Sequence, residues 1–147
     1  MAQRIDYYNV APDALDIIGK MDKHTQTTDI DRKLRELIRL RASQINGCAL
    51  CLYMHNTAAL KMGETEQRVY CISAWEECEF YTEAEKVALE LTEHVTLIPT
   101  KRVPDQLYQR VRKHYDEKQY VDLVLIITQI NTWNRIAIAM GHTPTEK

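Results

Sequence analysis

Cys48, Cys51 and His55 stand in the run Gly47-Cys48-Ala49-Leu50-Cys51-Leu52-Tyr53-Met54-His55. In a helix, offsets of three and seven residues put both sulfurs and the imidazole on one face. Cys48 then falls in the first turn, where unpaired N–H groups and the helix dipole favour a thiolate. Such cysteines drop from a free value near ~8.5 into the range ~3.5–7.5. Two close thiols with a base one turn further on read as a redox or nucleophilic centre.

Other uses of this spacing fit less well. A structural zinc site wants four ligands, and Cys71 and Cys78 do not make a second close pair. A mixed site of Cys48, Cys51, His55 and one carboxylate stays open as an alternative. Haem attachment needs the His directly after the second Cys, where Leu52 stands. A thioredoxin-type pair would follow a strand, and none precedes residue 47.

The elements that must position this run are helical. The chain has 147 residues, 45% hydrophobic, with only four Gly and four Pro, which suits one all-α domain over residues 1–147. Pro12 suits the first turn of a helix, and Asp29 or Asp31 can cap the next, whose Leu34, Leu37, Ile38 and Ile45 recur at helical spacing. That helix should stop at Asn46-Gly47. The Cys-bearing helix then runs from about Cys48 to Met62, followed by a short one from Thr65 to Trp75. A capping box, Thr82 and Glu85, starts a fifth helix, and Pro99 closes the loop after it. Pro104-Asp105 opens another helix. The last, Tyr120 to Met140, is apolar on several sides, which predicts burial partly against another subunit.

The reversal at Gly47 brings a carboxylate into play. Ten residues back along one helix is ~15 Å, and an equal distance forward along its neighbour reaches Asn56-Thr57. Glu36 is thus a candidate to face His55, giving a chain Glu36···His55···Cys51 in which the carboxylate orients the imidazole and the imidazole takes the thiol proton. The alternative is an exposed carboxylate paired with Arg39 or Arg32.

A net charge of −2 with charges of mixed sign suggests no polyanion partner. The basic run from Arg32 to Arg41 reads as the solvated or subunit-contacting side of a helix, so no nucleic acid is expected. No stretch approaches the ~18 apolar residues of a membrane span, and no secretory signal opens the chain. A cytoplasmic location is expected, where a CxxC pair is more plausibly catalytic than structural. Cys71 and Cys78, seven residues apart on one presumed helix and so ~10 Å from each other, read as structural thiols.

At Glu36, Leu40-Arg41-Ala42-Ser43-Gln44-Ile45-Asn46-Gly47-Cys48, Cys51, His55 and Asn131-Thr132-Trp133-Asn134-Arg135, the sequence resembles the AhpD-like (alkyl hydroperoxidase D) branch of the carboxymuconolactone decarboxylase superfamily. The resemblance implies a single-domain fold of about six to seven helices whose subunits interlock into trimers or hexamers. It implies a cofactor-independent antioxidant peroxidase or disulfide oxidoreductase, with hydroperoxide as substrate and an external dithiol, lipoyl or thioredoxin-like protein, as reductant. By resemblance Cys51 is the peroxidatic thiol, Cys48 the resolving thiol that closes a disulfide with it, and His55 and Glu36 the proton relay. Leu50 stands where the better-known peroxidases carry a second His. The rivals are another activity on the same fold, such as a peroxide-independent disulfide reductase or a decarboxylase-like enzyme, and a non-catalytic metal-binding helical oligomer.

Overall fold

The computed structural model describes residues 3–146. Among them the order is α1 (Tyr7–Val10), α2 (Pro12–Gln26), α3 (Arg32–Asn46), α4 (Ala49–Lys61), α5 (Glu66–Tyr70), a 3-10 helix (Ile72–Glu77), α6 (Glu83–Thr96), α7 (Ile98–Lys101), α8 (Asp105–Arg112) and α9 (Glu117–Ala139). The all-α expectation holds, with more pieces than the six or seven expected.

Each additional piece has a local cause. Ala11 precedes a proline and is pushed out of helical geometry (φ −136°, ψ 56°), which separates α1 from α2. The presumed helix from Thr65 to Trp75 ends at Tyr70, and the 3-10 segment after Cys71 is kinked at Ala74. Pro99 does not close a loop. It lies in the first turn of α7, where its missing N–H costs no hydrogen bond. The last helix begins at Glu117, three residues earlier than expected, because Asp116 and Gln119 form a capping box. The Thr82–Glu85 box opens α6 as expected, and Asp31, not Asp29, caps α3.

The kink at Ala74 also corrects the spacing of Cys71 and Cys78. Cys78 Sγ donates to the Ala74 carbonyl at 3.4 Å, and burial together with the nearby Cys71 thiol pushes Cys78 above its ordinary value. A raised thiol is a poor nucleophile at neutral pH, so proximity to Cys71 does not make Cys78 reactive.

Helix α3 is the central rod, packing on α4, α6 and α9. On one side Leu34 and Ile38 join Leu91, Val111, Leu123, Ile126 and Ile127 from α6, α8 and α9. On another, Leu37 and Leu40 meet Ala59, Val69, Ile72, Trp75 and Leu89. A third, smaller cluster unites Ala42, Cys48, Cys51, Ile130 and Ala137. The two cysteines are therefore core residues at the junction of α3, α4 and α9, on rigid elements and not on a loop. No helix among the described residues is long and apolar enough to cross a membrane.

Candidate active site

The turn between α3 and α4 sets the geometry. Gly47 takes the left-handed conformation (φ 68°, ψ 34°) that glycine adopts without steric cost. The amides of Gly47 and Cys48 return to the carbonyls of Gln44 (3.3 Å) and Ser43 (3.1 Å), a Schellman closure. Cys48 follows at once as the N-cap of α4, its Sγ accepting the Cys51 N–H at 3.4 Å. The Cys48 sulfur thus occupies the place of a capping oxygen, at the positive end of the helix.

Cys48 and Cys51 are joined as a disulfide, with Cα atoms 5.4 Å apart. Their surroundings differ. Cys51 lines a cavity of about 220 Å³ together with His55, whereas Cys48, 1% exposed, lies outside that lining. Tyr7, Tyr8, Leu50, Met54 and Trp133 supply apolar wall, and Asp22 and Gln129 add polar groups. Leu50, next to Cys51 in sequence, contributes no hydrogen-bonding group to this wall.

Glu36 is buried and serves two partners. Its Oε2 lies 2.7 Å from His55 Nδ1, and its Oε1 accepts from Arg39 Nη1 at 2.6 Å. Both halves of the sequence alternative for Glu36 are present, except that the carboxylate is not exposed. Burial alone would raise its pKa, but His55 and Arg39 outweigh that and hold the carboxyl below its ordinary value. An ionised carboxylate only accepts, so His55 Nδ1 carries the proton and donates it. In the neutral ring Nε2 is left with the free lone pair. Arg39 is itself anchored by Thr25 Oγ1 at 3.0 Å and Asp22 at 3.6 Å, tying the acid to α2.

A second polar cluster, not foreseen residue by residue, fixes the turn to α9. Asn46 Nδ2 donates to Asn131 Oδ1 and Asn134 Oδ1, both at 2.9 Å. Asn134 Nδ2 donates to Ser43 Oγ at 3.0 Å, and Asn131 Nδ2 reaches Thr96 Oγ1. The polar Asn131–Arg135 stretch within an apolar helix thus finds partners on α3 and α6. It locks the end of α3, and with it the start of the Cys-bearing helix.

Among the described residues, no group of three or more His, Cys, Asp or Glu side chains is arranged to hold a metal ion. Tyr53 lies outside the cavity lining, while its neighbour Met54 belongs to it. His94 and His142 have structural partners, Arg102 O and the Tyr7 hydroxyl, each at 2.7 Å.

Comparison with known proteins places these features in a family context. A profile of the carboxymuconolactone decarboxylase family matches residues 12–94. An uncharacterized protein of Bacillus subtilis (strain 168), YdfG, is 62% identical over all 147 residues, covering both chains fully. A crystal structure from Agrobacterium tumefaciens, of unknown function and considered a candidate AhpD antioxidant-defence protein, superposes with a TM-score of 0.94. It is 34% identical and covers 99% of this chain and 100% of its own. The debrominase Bmp8 shares the fold (TM-score 0.84, 22% identity, 94% and 74% coverage).

Proposed function

Because the chain belongs to the carboxymuconolactone decarboxylase family, in its AhpD-like branch, we propose that it is a thiol-dependent hydroperoxide reductase working through the Cys48–Cys51 pair. A fold that also houses a debrominase does not fix a reaction, so the reading rests on the site. The observation that carries it is that Cys51 shares its cavity with His55, whose Nδ1 is held by the ionised Glu36.

In the reduced protein His55 Nε2 takes the Cys51 proton, and the thiolate attacks the outer oxygen of a hydroperoxide. The O–O bond breaks, Cys51 becomes a sulfenic acid, and the alkoxide leaves as an alcohol with the proton returned by His55. Cys48 then displaces the sulfenic hydroxyl, forming the disulfide and releasing water. An external dithiol, from a lipoyl group or a thioredoxin-like protein, restores both thiols by exchange and leaves as its own disulfide. The balance is one hydroperoxide and one dithiol in, and one alcohol, one water and one disulfide out. No cofactor is required.

Cys51 is assigned the attacking role because it faces the cavity, whereas Cys48 lies behind it at the cap, ready to resolve. The deciding experiment is consumption of cumene hydroperoxide with a dithiol as reductant. Cys51→Ser should abolish turnover, while Cys48→Ser should complete one oxidation and stall as the sulfenic acid. Equal rates in wild type and Cys51→Ser would reject the assignment.

A second reading keeps the same pair and drops the peroxide. Apolar Leu50 leaves the cavity without a second imidazole, which favours direct disulfide exchange with a protein or small disulfide. Exchange without hydroperoxide consumption would support it. Assembly into a trimer or hexamer belongs to the proposal as well. Val121 and Ile138 on α9 are half exposed, and light scattering measures the assembly directly.

A further inference from the structure

Among the described residues, three buried side-chain atoms have no hydrogen-bond partner: Arg39 Nε and both polar atoms of Gln129. Two of the three thus belong to one amide, on a residue only 3% exposed, and that residue lines the cavity shared by Cys51 and His55. Burying an amide with neither its donor nor its acceptor used is costly, and native structures rarely leave both empty without a reason. Packing alone does not supply one, because a methionine would fill similar space without the penalty. The cavity beside Gln129 is the place from which a small partner can come.

We propose that Gln129 is the substrate-recognition group of this cavity, binding a neutral group that offers both a hydrogen-bond donor and an acceptor on an otherwise apolar molecule. The inference rests on reading the cavity as the substrate site of Cys51. A primary amide or an undissociated hydroxyl-type group matches the two vacant functions of a carboxamide. Trp133, one helical turn beyond Gln129, gives the apolar body a flat wall. A carboxylate fits poorly, because Asp22 lines the same space. The cavity therefore selects polar but uncharged head groups, and the polar group determines orientation while Leu50, Met54 and Trp133 hold the remainder.

Unreactive probes test this on the oxidised, disulfide-bonded protein. Binding of benzamide, benzoate and toluene is followed by nuclear magnetic resonance shifts of the Trp133 indole. The wild type should bind benzamide at least roughly tenfold more tightly than either rival, the discrimination expected when buried polar groups lose their partners. Gln129→Met should erase that preference and leave the Tm unchanged or higher, because the unpaired amide is gone. Equal binding of benzamide and toluene by the wild type, or a preference that survives in Gln129→Met, overturns the proposal. So does a lower Tm for Gln129→Met, which would make the amide part of the folded framework. None of these readouts involves turnover, so absent peroxidase activity would sink the catalytic reading alone.

Discussion

Glu36 Oε2 lies 2.7 Å from His55 Nδ1, across the gap between two consecutive helices and nineteen residues apart in sequence. The carboxylate can hold this position because its other oxygen is bound by Arg39, so both charged groups are buried with partners. The pair fixes the imidazole tautomer and turns the opposite ring nitrogen into an acceptor. The imidazole so held lines the same cavity as Cys51, and both stand on α4.

Replacing the base separates its role from that of the sulfur. His55→Gln should slow oxidation of the reduced protein by hydroperoxide about 10²- to 10⁴-fold at pH 7, the usual contribution of general acid–base catalysis. Raising the pH should recover part of the loss as the thiol ionises by itself. Stopped-flow oxidation between pH 6 and 9 measures both effects.

Acid stability should follow the two depressed carboxyls. Glu36 is held down by His55 and Arg39 against burial, and Glu93 by Trp75, Arg41 and Lys101 against burial. Their folded pKa values lie below those of the unfolded chain, so their contribution is complete above the ordinary glutamate value near ~4.3. It is lost as the pH falls through the folded values. Glu36→Gln should flatten that acid limb and cost about 3 kcal/mol at neutral pH, because buried Arg39 loses its counter-charge. Urea unfolding from pH 3 to 7 reads both.

The turn should prove sensitive to backbone and to polar partners alike. Gly47→Ala places a Cβ in the left-handed region and should destabilise by about 1–2 kcal/mol, although nothing lies within 4 Å of that Cβ. Asn134→Ala should cost about 1–3 kcal/mol by stripping partners from Asn46 and Ser43. Thermal unfolding checks both, and peroxide oxidation should slow as the Cys-bearing helix loses its anchor.

Thiol counting checks the disulfide state. The oxidised protein, denatured without reductant, should titrate two thiols, Cys71 and Cys78, and the reduced protein four. A count of zero in the oxidised form would mean that the second pair is bridged as well.

Much of this was legible in the sequence because it depends on local rules. The 3.6-residue period places Cys51 and His55 along one cavity, and the break at Gly47 turns Glu36 toward His55. Cys48, expected in the first turn, stands just before the helix as its N-cap. The missing parts arise from long-range packing or from short elements. Burial of Glu36 against Arg39 depends on α2, which supplies Thr25 and Asp22, and nothing near Glu36 in sequence announces that. The grip of Asn131 and Asn134 on Asn46 spans more than eighty residues, although polar residues within an apolar helix signalled that partners were needed. The start of α9 was readable, since Asp116 and Gln119 have capping-box spacing. Cys71 and Cys78 approach only because the chain kinks at Ala74, which no helical spacing predicts.

The central claim is that hydroperoxide acts on Cys51 and that Cys48 closes on it. The direct measurement mixes fully reduced protein with one equivalent of cumene hydroperoxide and locates the product by mass spectrometry of peptides. The account predicts one equivalent of alcohol, a Cys48–Cys51 bridge, and unchanged Cys71 and Cys78. Oxidation at Cys71 or Cys78, or hydroperoxide left intact while the Cys48–Cys51 pair stays reduced, would contradict it.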